Sequence, residues 1–130
     1  MVIISKYNNQ YVLIKQFRHA IGDYQLAFPR GYGEPDITIE ENVKKEIFKE
    51  LNTNAYKIEH IGTVIADSGI CGEKVNIVQC EVDKPNVDGV YEGITKFVLL
   101  SAEEIESLIK SKKINDGFTL SAWSLYTYQQ

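Results

Sequence analysis

RGYGEPDITIEENVKKEIFKEL, residues Arg30 to Leu51, is the stretch from which the fold can be read. Its first seven residues, RGYGEPD, are rich in turn formers and end whatever precedes them. Thr38, with Glu41 three positions on, is a capping-box signature and predicts a helix start. Val43, Ile47 and Leu51 then recur every four residues, with Phe48 beside them, as one apolar stripe. Asn52 and Asn54 suit the exit from that helix. On the same helix Glu46 and Glu50 stand four apart, which puts them on one face with Cβ atoms about 5–6 Å apart. Carboxylates so placed can converge on a hard cation such as Mg²⁺, and the RGYGE loop adds backbone groups near the helix start. A solvated helix face carries glutamate and lysine just as readily. Spacing alone leaves both readings open.

Working outward, VIIS (2–5) and YVLIKQFR (11–18) read as strands joined by a tight YNNQ turn, whose asparagines tolerate the positive φ of a hairpin. YQLAF (24–28) is a third strand, ended by Pro29. Downstream, HIGTVIA (60–66) and KVNIVQCEV (74–82) are strand-like and flank a polar loop, DSGICGE. TKFVLL (95–100) is another strand. SAEEIESLIKS is a second amphipathic helix, with Ser101 and Glu104 as its capping box and Ile105, Leu108 and Ile109 as its buried stripe. DGFTLSAWSLYTY (116–128) makes a third helix. This order predicts an α/β chain, more narrowly α+β, with a mixed β-sheet sandwiched between helices. A single domain over residues 1–130 is expected, because no repeat or linker divides the chain.

The net charge of −4, without a basic run, excludes a long-range pull toward nucleic acid or anionic membrane. No apolar stretch approaches the ~20 residues of a membrane span. The first ten residues lack the basic leader and cleavage pattern of a signal peptide. Cys71 and Cys80 form no CxxC pair and are too few for a disulfide framework, so a cytoplasmic setting with reduced thiols is expected. His19 and His60 have no metal-ligand spacing, and Trp123 with its neighbouring tyrosines reads as core packing.

The stretch from Gly31 to Asn54 resembles the Nudix box: glycine, five residues, glutamate, seven residues, then arginine-glutamate-aliphatic-any-glutamate-glutamate-any-glycine-aliphatic. Gly31 matches its glycine, Glu34-Pro35 its turn, Glu46-Ile47 its glutamate-aliphatic pair and Glu50 its last glutamate. Ile37 stands where the first glutamate belongs, Lys45 replaces the arginine, Lys49 a glutamate, Asn52 the closing glycine and Thr53 the final aliphatic residue. Beyond this degenerate box, QFR (16–18) before FPRG (28–31), the loop DSGICGE and the segment from Val98 to Tyr126 resemble the ADP-ribose pyrophosphatase branch. In that last segment an aspartate and a threonine-leucine pair open the final helix. The resemblance runs from about Tyr11 to Tyr126.

The resemblance implies a Nudix fold and hydrolysis of a nucleoside diphosphate linked to another moiety, of the ADP-ribose or nucleotide-sugar type. A divalent metal, Mg²⁺ or Mn²⁺, would assist cleavage of the pyrophosphate in a small-molecule nucleotide substrate. It carries metal binding onto Glu46, Glu50 and the backbone carbonyl of Arg30, and catalytic roles onto Glu50 and Glu73, the latter as base. A solvated loop carboxylate is the other reading of Glu73. Arg18, Arg30, Tyr32 and Lys49 are the substrate-contact candidates. For Arg18 the alternative is a surface arginine at a strand end, and for Tyr32 simple packing. Lys49 puts an ammonium beside the metal site, where repulsion at ~4–6 Å amounts to a few kcal/mol per cation charge. Fewer ions than in a full Nudix site are therefore expected. Either Lys49 turns to solvent and one metal survives, or it neutralises phosphate in a metal's place. The alternative function is a non-catalytic nucleotide-binding or regulatory protein on the same fold. A homodimer, if formed, would not use the family's N-terminal segment, since the chain begins almost at the core strands.

Overall fold

The protein is described by a computed structural model covering residues 1–86 and 94–129. Strands β1 (Val2–Tyr7) and β2 (Gln10–Arg18) form the expected hairpin. Tyr7 pairs with Gln10 across a two-residue turn in which Asn8 and Asn9 take φ of 49° and 62°. Both values are left-handed, which asparagine tolerates and which matches the twist of the flanking strands. β3 (Asp23–Ala27) runs antiparallel to β2 from Ile14 to Arg18, and β6 (Ile94–Leu100) pairs with β2 from Tyr11 to Gln16. β5 (Val75–Val82) lies parallel to β1, and β4 (Ala55–Val64) lies antiparallel to β5. The sheet is mixed, as expected, in the order β3-β2-β1-β5-β4 with β6 on β2.

A strand has two edges. β6 occupies one edge of β2, so β1 and β3 share the other. β1 holds β2 only from Ser5 to Tyr7; on the N-terminal side of Ser5 the two strands diverge. The segment after β3 enters the gap: Val2 bridges to Arg30, the Ile3 N–H donates to the Pro29 carbonyl at 2.8 Å, and the Gly31 N–H donates to the Met1 carbonyl at 3.1 Å.

Alternation along the strands feeds two cores. Ile3, Val12, Ile14 and Val78 face helix α1 (Ile39–Leu51), which contributes Val43, Ile47 and Leu51. Val2, Ile4, Tyr11, Leu13 and Ile77 face the other way, against Ile105 of α2 (Ala102–Lys110) and Ala122, Trp123 and Tyr126 of α3 (Gly117–Tyr128). Trp123 stacks on Tyr126 and meets Tyr11 edge-on, and the Tyr11 and Tyr126 hydroxyls lie 2.9 Å apart. No described helix is long and apolar enough to cross a membrane.

Local signals hold at the helix ends. Thr38 Oγ1 accepts from the Glu41 N–H at 3.1 Å, and Ser101 with Glu104 makes a complete reciprocal capping box. Asn52 closes α1 in the left-handed region, φ 50° and ψ 46°. Three expectations are corrected. Phe48 is 62% exposed and lies outside the buried stripe, because 100° per residue carries it past the flank on which Ile47 packs. β4 begins at Ala55 rather than His60; register shifts between Tyr56 and Glu59 and between His60 and Gly62 break the alternation that periodicity reads. β3 stops at Ala27, one residue earlier.

Both cysteines are free, Cys71 exposed in the loop and Cys80 buried under α1, where burial pushes its thiol up to about 12.

Ile47 is fully buried between α1 and the sheet. Ile47→Ala should lower unfolding free energy by about 2–5 kcal/mol. Urea denaturation followed by circular dichroism should show a lower midpoint at unchanged slope; an unshifted midpoint would mean that α1 does not hold this core.

Candidate active site

The divergence of β1 and β2 opens a cleft of about 1330 Å³ between the sheet end, α1 and the loops. Arg18, Arg30, Tyr32, Glu46, Lys49, Glu50 and Glu73 all line it, so the structure brings every sequence-predicted site residue to one place. Arg18 ends β2, Arg30 and Tyr32 belong to the loop wedged beside β1, and Glu46, Lys49 and Glu50 come from α1. Glu73 lines the cleft from the loop just before β5. Tyr32 is 99% exposed on the rim.

Alternation of the backbone explains how loop and helix meet. Pro29 and Gly31 turn their polar groups to β1, so the Arg30 N–H and carbonyl point the opposite way. The Arg30 N–H reaches the Glu50 carboxylate there. Gly31 lets the other carboxylate in: a Cβ at Gly31 would sit 2.6 Å from both Glu46 oxygens. What this contact requires is the missing side chain, not flexibility. Gly33 serves differently, with φ +74° and Asn42 Nδ2 3.0 Å from where a Cβ would be.

The Glu50 carboxyl carries the electrostatic signature of the site. Burial, with Glu46 adding repulsion, raises its pKa from the ordinary 4.5 to about 8, against the opposing pull of Arg18, Lys49 and the Arg30 N–H. Its Oε2 is buried without a hydrogen-bond partner, and so is Nε of Arg18. Burial and the nearby Arg30 lower the pKa of Arg18 as well. Buried polar atoms without partners are uncommon and call for an explanation such as an ion or ligand. Two carboxylates and a backbone carbonyl directed to the same edge form an all-oxygen donor set, which fits a hard divalent cation. Among the described residues no cluster of three or more acidic, histidine or cysteine side chains forms, so backbone oxygen and water would have to complete the shell.

The Arg30 side chain is engaged elsewhere. Its guanidinium donates to Asp116 Oδ1 at 3.0 Å and lies over the Phe118 ring. Lys45 pairs with Glu34 at 2.5 Å, and Asn42 holds both the N–H and the carbonyl of Glu34, at 2.8 and 3.0 Å. These contacts staple the loop to α1. His60 bonds Asn76 at 3.0 Å, and His19 packs edge-on against Phe17. Asn42, Asp116 and Thr119 were missed as supports of the site. Asp116 three residues before Thr119 is an N-cap spacing visible in the sequence, whereas nothing in the sequence marks Asn42.

No family model and no curated protein matches this sequence. Solved structures do match over nearly its whole length. A crystal structure of an ADP compounds hydrolase is similar at a TM-score of 0.86 with 18% identity, covering 98% of this chain and 70% of that one. A NUDIX hydrolase from Nitrosomonas europaea is similar at 0.78 with 16% identity, covering 98% of this chain and 86% of that one. At such identities the likeness establishes the fold, and the chain has the Nudix fold.

Because Glu50 titrates near 8 when folded and near 4.5 when unfolded, folding takes up a proton between those values. Its stabilising contribution is full below about pH 4.5 and is lost as pH rises toward 8. In EDTA, wild type should lose on the order of a few kcal/mol between pH 5 and 8 relative to Glu50→Gln, which has no charge to bury. Urea midpoints at the two pH values measure this; parallel pH trends in both proteins would contradict it.

Proposed function

We propose that this Nudix-fold chain is a metal-dependent hydrolase of nucleoside diphosphates linked to a second moiety, of the ADP-ribose or nucleotide-sugar type. One observation carries the reading: Glu46 and Glu50 converge beside the Arg30 peptide, with a buried Glu50 oxygen that lacks a partner. The fold shared with an ADP compounds hydrolase supports the substrate class.

Mg²⁺ or Mn²⁺ held by Glu46, Glu50 and the Arg30 carbonyl would neutralise the pyrophosphate and acidify a water. Arg18 presents its guanidinium to a phosphate oxygen, a match of fork to oxyanion geometry. Lys49 lies one turn from Glu46 and adds ammonium charge where a full box has another carboxylate, so fewer ions are needed. Glu73, which also lines the cleft, accepts the proton of the attacking water. The water oxygen bonds to phosphorus and the bridging P–O bond breaks. A nucleoside monophosphate and the phosphorylated second moiety leave. Tyr32 on the rim offers a face for stacking a base or sugar.

Lys49 also favours a second reading, in which the site binds a nucleotide without turnover. Its charge already acts on Glu50, as a cation would.

A panel of nucleoside diphosphate compounds assayed with Mg²⁺ and Mn²⁺ decides between the two. The hydrolase reading expects metal-dependent release of nucleoside monophosphate and a loss of about 10²-fold or more in Glu50→Gln, the scale of one strong transition-state contact. Lys49→Glu should raise turnover by restoring the missing carboxylate. Wild-type rates in Glu50→Gln would sink the hydrolase reading; tight, metal-independent nucleotide binding without turnover would establish the second.

A further inference from the structure

We infer that Asp116 is a positioning residue for the Arg30 peptide and, through it, for the Glu46–Glu50 pair; the inference rests on the metal-dependent reading above. Asp116 caps α3 and is only 5% exposed. Its Oδ2 accepts from the Thr119 N–H at 3.0 Å and from the Thr119 hydroxyl at 2.7 Å, while its Oδ1 accepts from the Arg30 guanidinium at 3.0 Å. The Thr119 hydroxyl in turn accepts from the Phe28 N–H at 3.1 Å. The first turn of α3 thus grips the site loop twice, at the backbone of Phe28 and the side chain of Arg30. Between them, β1 takes the Pro29 carbonyl. With both flanks held, the Arg30 peptide has one orientation, the one that gives its N–H to Glu50.

Capping α3 requires one acceptor, and asparagine serves as well as aspartate. A buried carboxylate costs more than a buried amide unless it is paired. The second oxygen of Asp116 therefore has a task beyond the cap, which is to hold Arg30. The ion pair also fixes the guanidinium on Asp116. Released, that charge would fold toward the carboxylates and compete with a cation. Loss of the pair misplaces a backbone donor and adds a competing cation, and both effects weaken metal binding.

The test uses the full chain, with Mn²⁺ as the probe. Asp116→Asn keeps the cap and removes the charge that holds Arg30. Calorimetry should show Mn²⁺ affinity falling about 10–100-fold, and ADP-ribose turnover should show kcat falling on the same scale with KM within about twofold. Amide hydrogen exchange at Arg30 should accelerate. Thr119→Val should accelerate exchange at Phe28 and lower kcat, and Thr119→Ser should restore both. Wild-type Mn²⁺ affinity with unchanged Arg30 exchange in Asp116→Asn would overturn the inference. So would lower thermal stability without weaker Mn²⁺ binding, since that makes Asp116 a cap alone. If wild type neither binds Mn²⁺ nor turns over any compound, the hydrolase reading fails separately. Exchange rates then still decide the positioning: faster Arg30 exchange supports it and unchanged exchange removes it.

Discussion

Strand β2 has two edges and three partners, and the rest of the site depends on how that conflict is resolved. β6 takes one edge from Tyr11 to Gln16. On the other, β1 and β3 each take part, so β1 lies apart from β2 on the N-terminal side of Ser5. The peeling exposes polar backbone on β1 that cannot be left unpaired in a protein interior. The segment Pro29–Gly31 satisfies it from one side of its own backbone. The other side, the N–H and carbonyl of Arg30, is thereby turned to α1. A pairing requirement inside the sheet becomes a set of polar groups aimed at two glutamates.

Those glutamates are held closer than their charges favour. Glu46 is pressed onto the loop at Gly31, where a methyl group would not fit. Glu50 is buried deeply enough that its proton is retained to about pH 8. Arg18, Lys49 and the Arg30 N–H relieve part of the strain without removing it. Groups whose pKa values are displaced by burial and a nearby like charge are the kind that mark a candidate functional site. Lys49 is one of the balancing charges rather than an intrusion.

Where the loop and helix differ from the Nudix box they resemble, other contacts hold them. Without Glu at position 37 and Arg at 45, the loop is held by the Lys45–Glu34 pair and by Asn42 on the Glu34 backbone. Asn52 adopts the left-handed closing conformation that a glycine would take, and asparagine is the residue best able to stand in for it. Loop anchorage and helix exit thus rest on these residues' own bonds.

The architecture was legible because its signals are local. Two asparagines specified the hairpin turn, Thr38 and Ser101 the helix starts, and alternation in β1, β2 and β5 the two buried faces. Signals failed where regular spacing is interrupted, at the bulged start of β4, or where an aromatic residue sits one step off a stripe, at Phe48. Spacing alone pointed to Glu46 and Glu50; Arg18, Arg30, Tyr32, Lys49 and Glu73 came only through the family resemblance, and all seven line one cleft. The sequence by itself determined which side chains could meet, because helix and strand periods are properties of a few neighbouring residues. Only the tertiary structure decided what those side chains would be when they met. Glu50 holds its proton, Arg30 turns to Asp116, and Asn42 anchors the loop through contacts between residues 8 to 86 positions apart. Burial and long-range pairing arise only once the sheet and helices close on one another, and no local pattern encodes them.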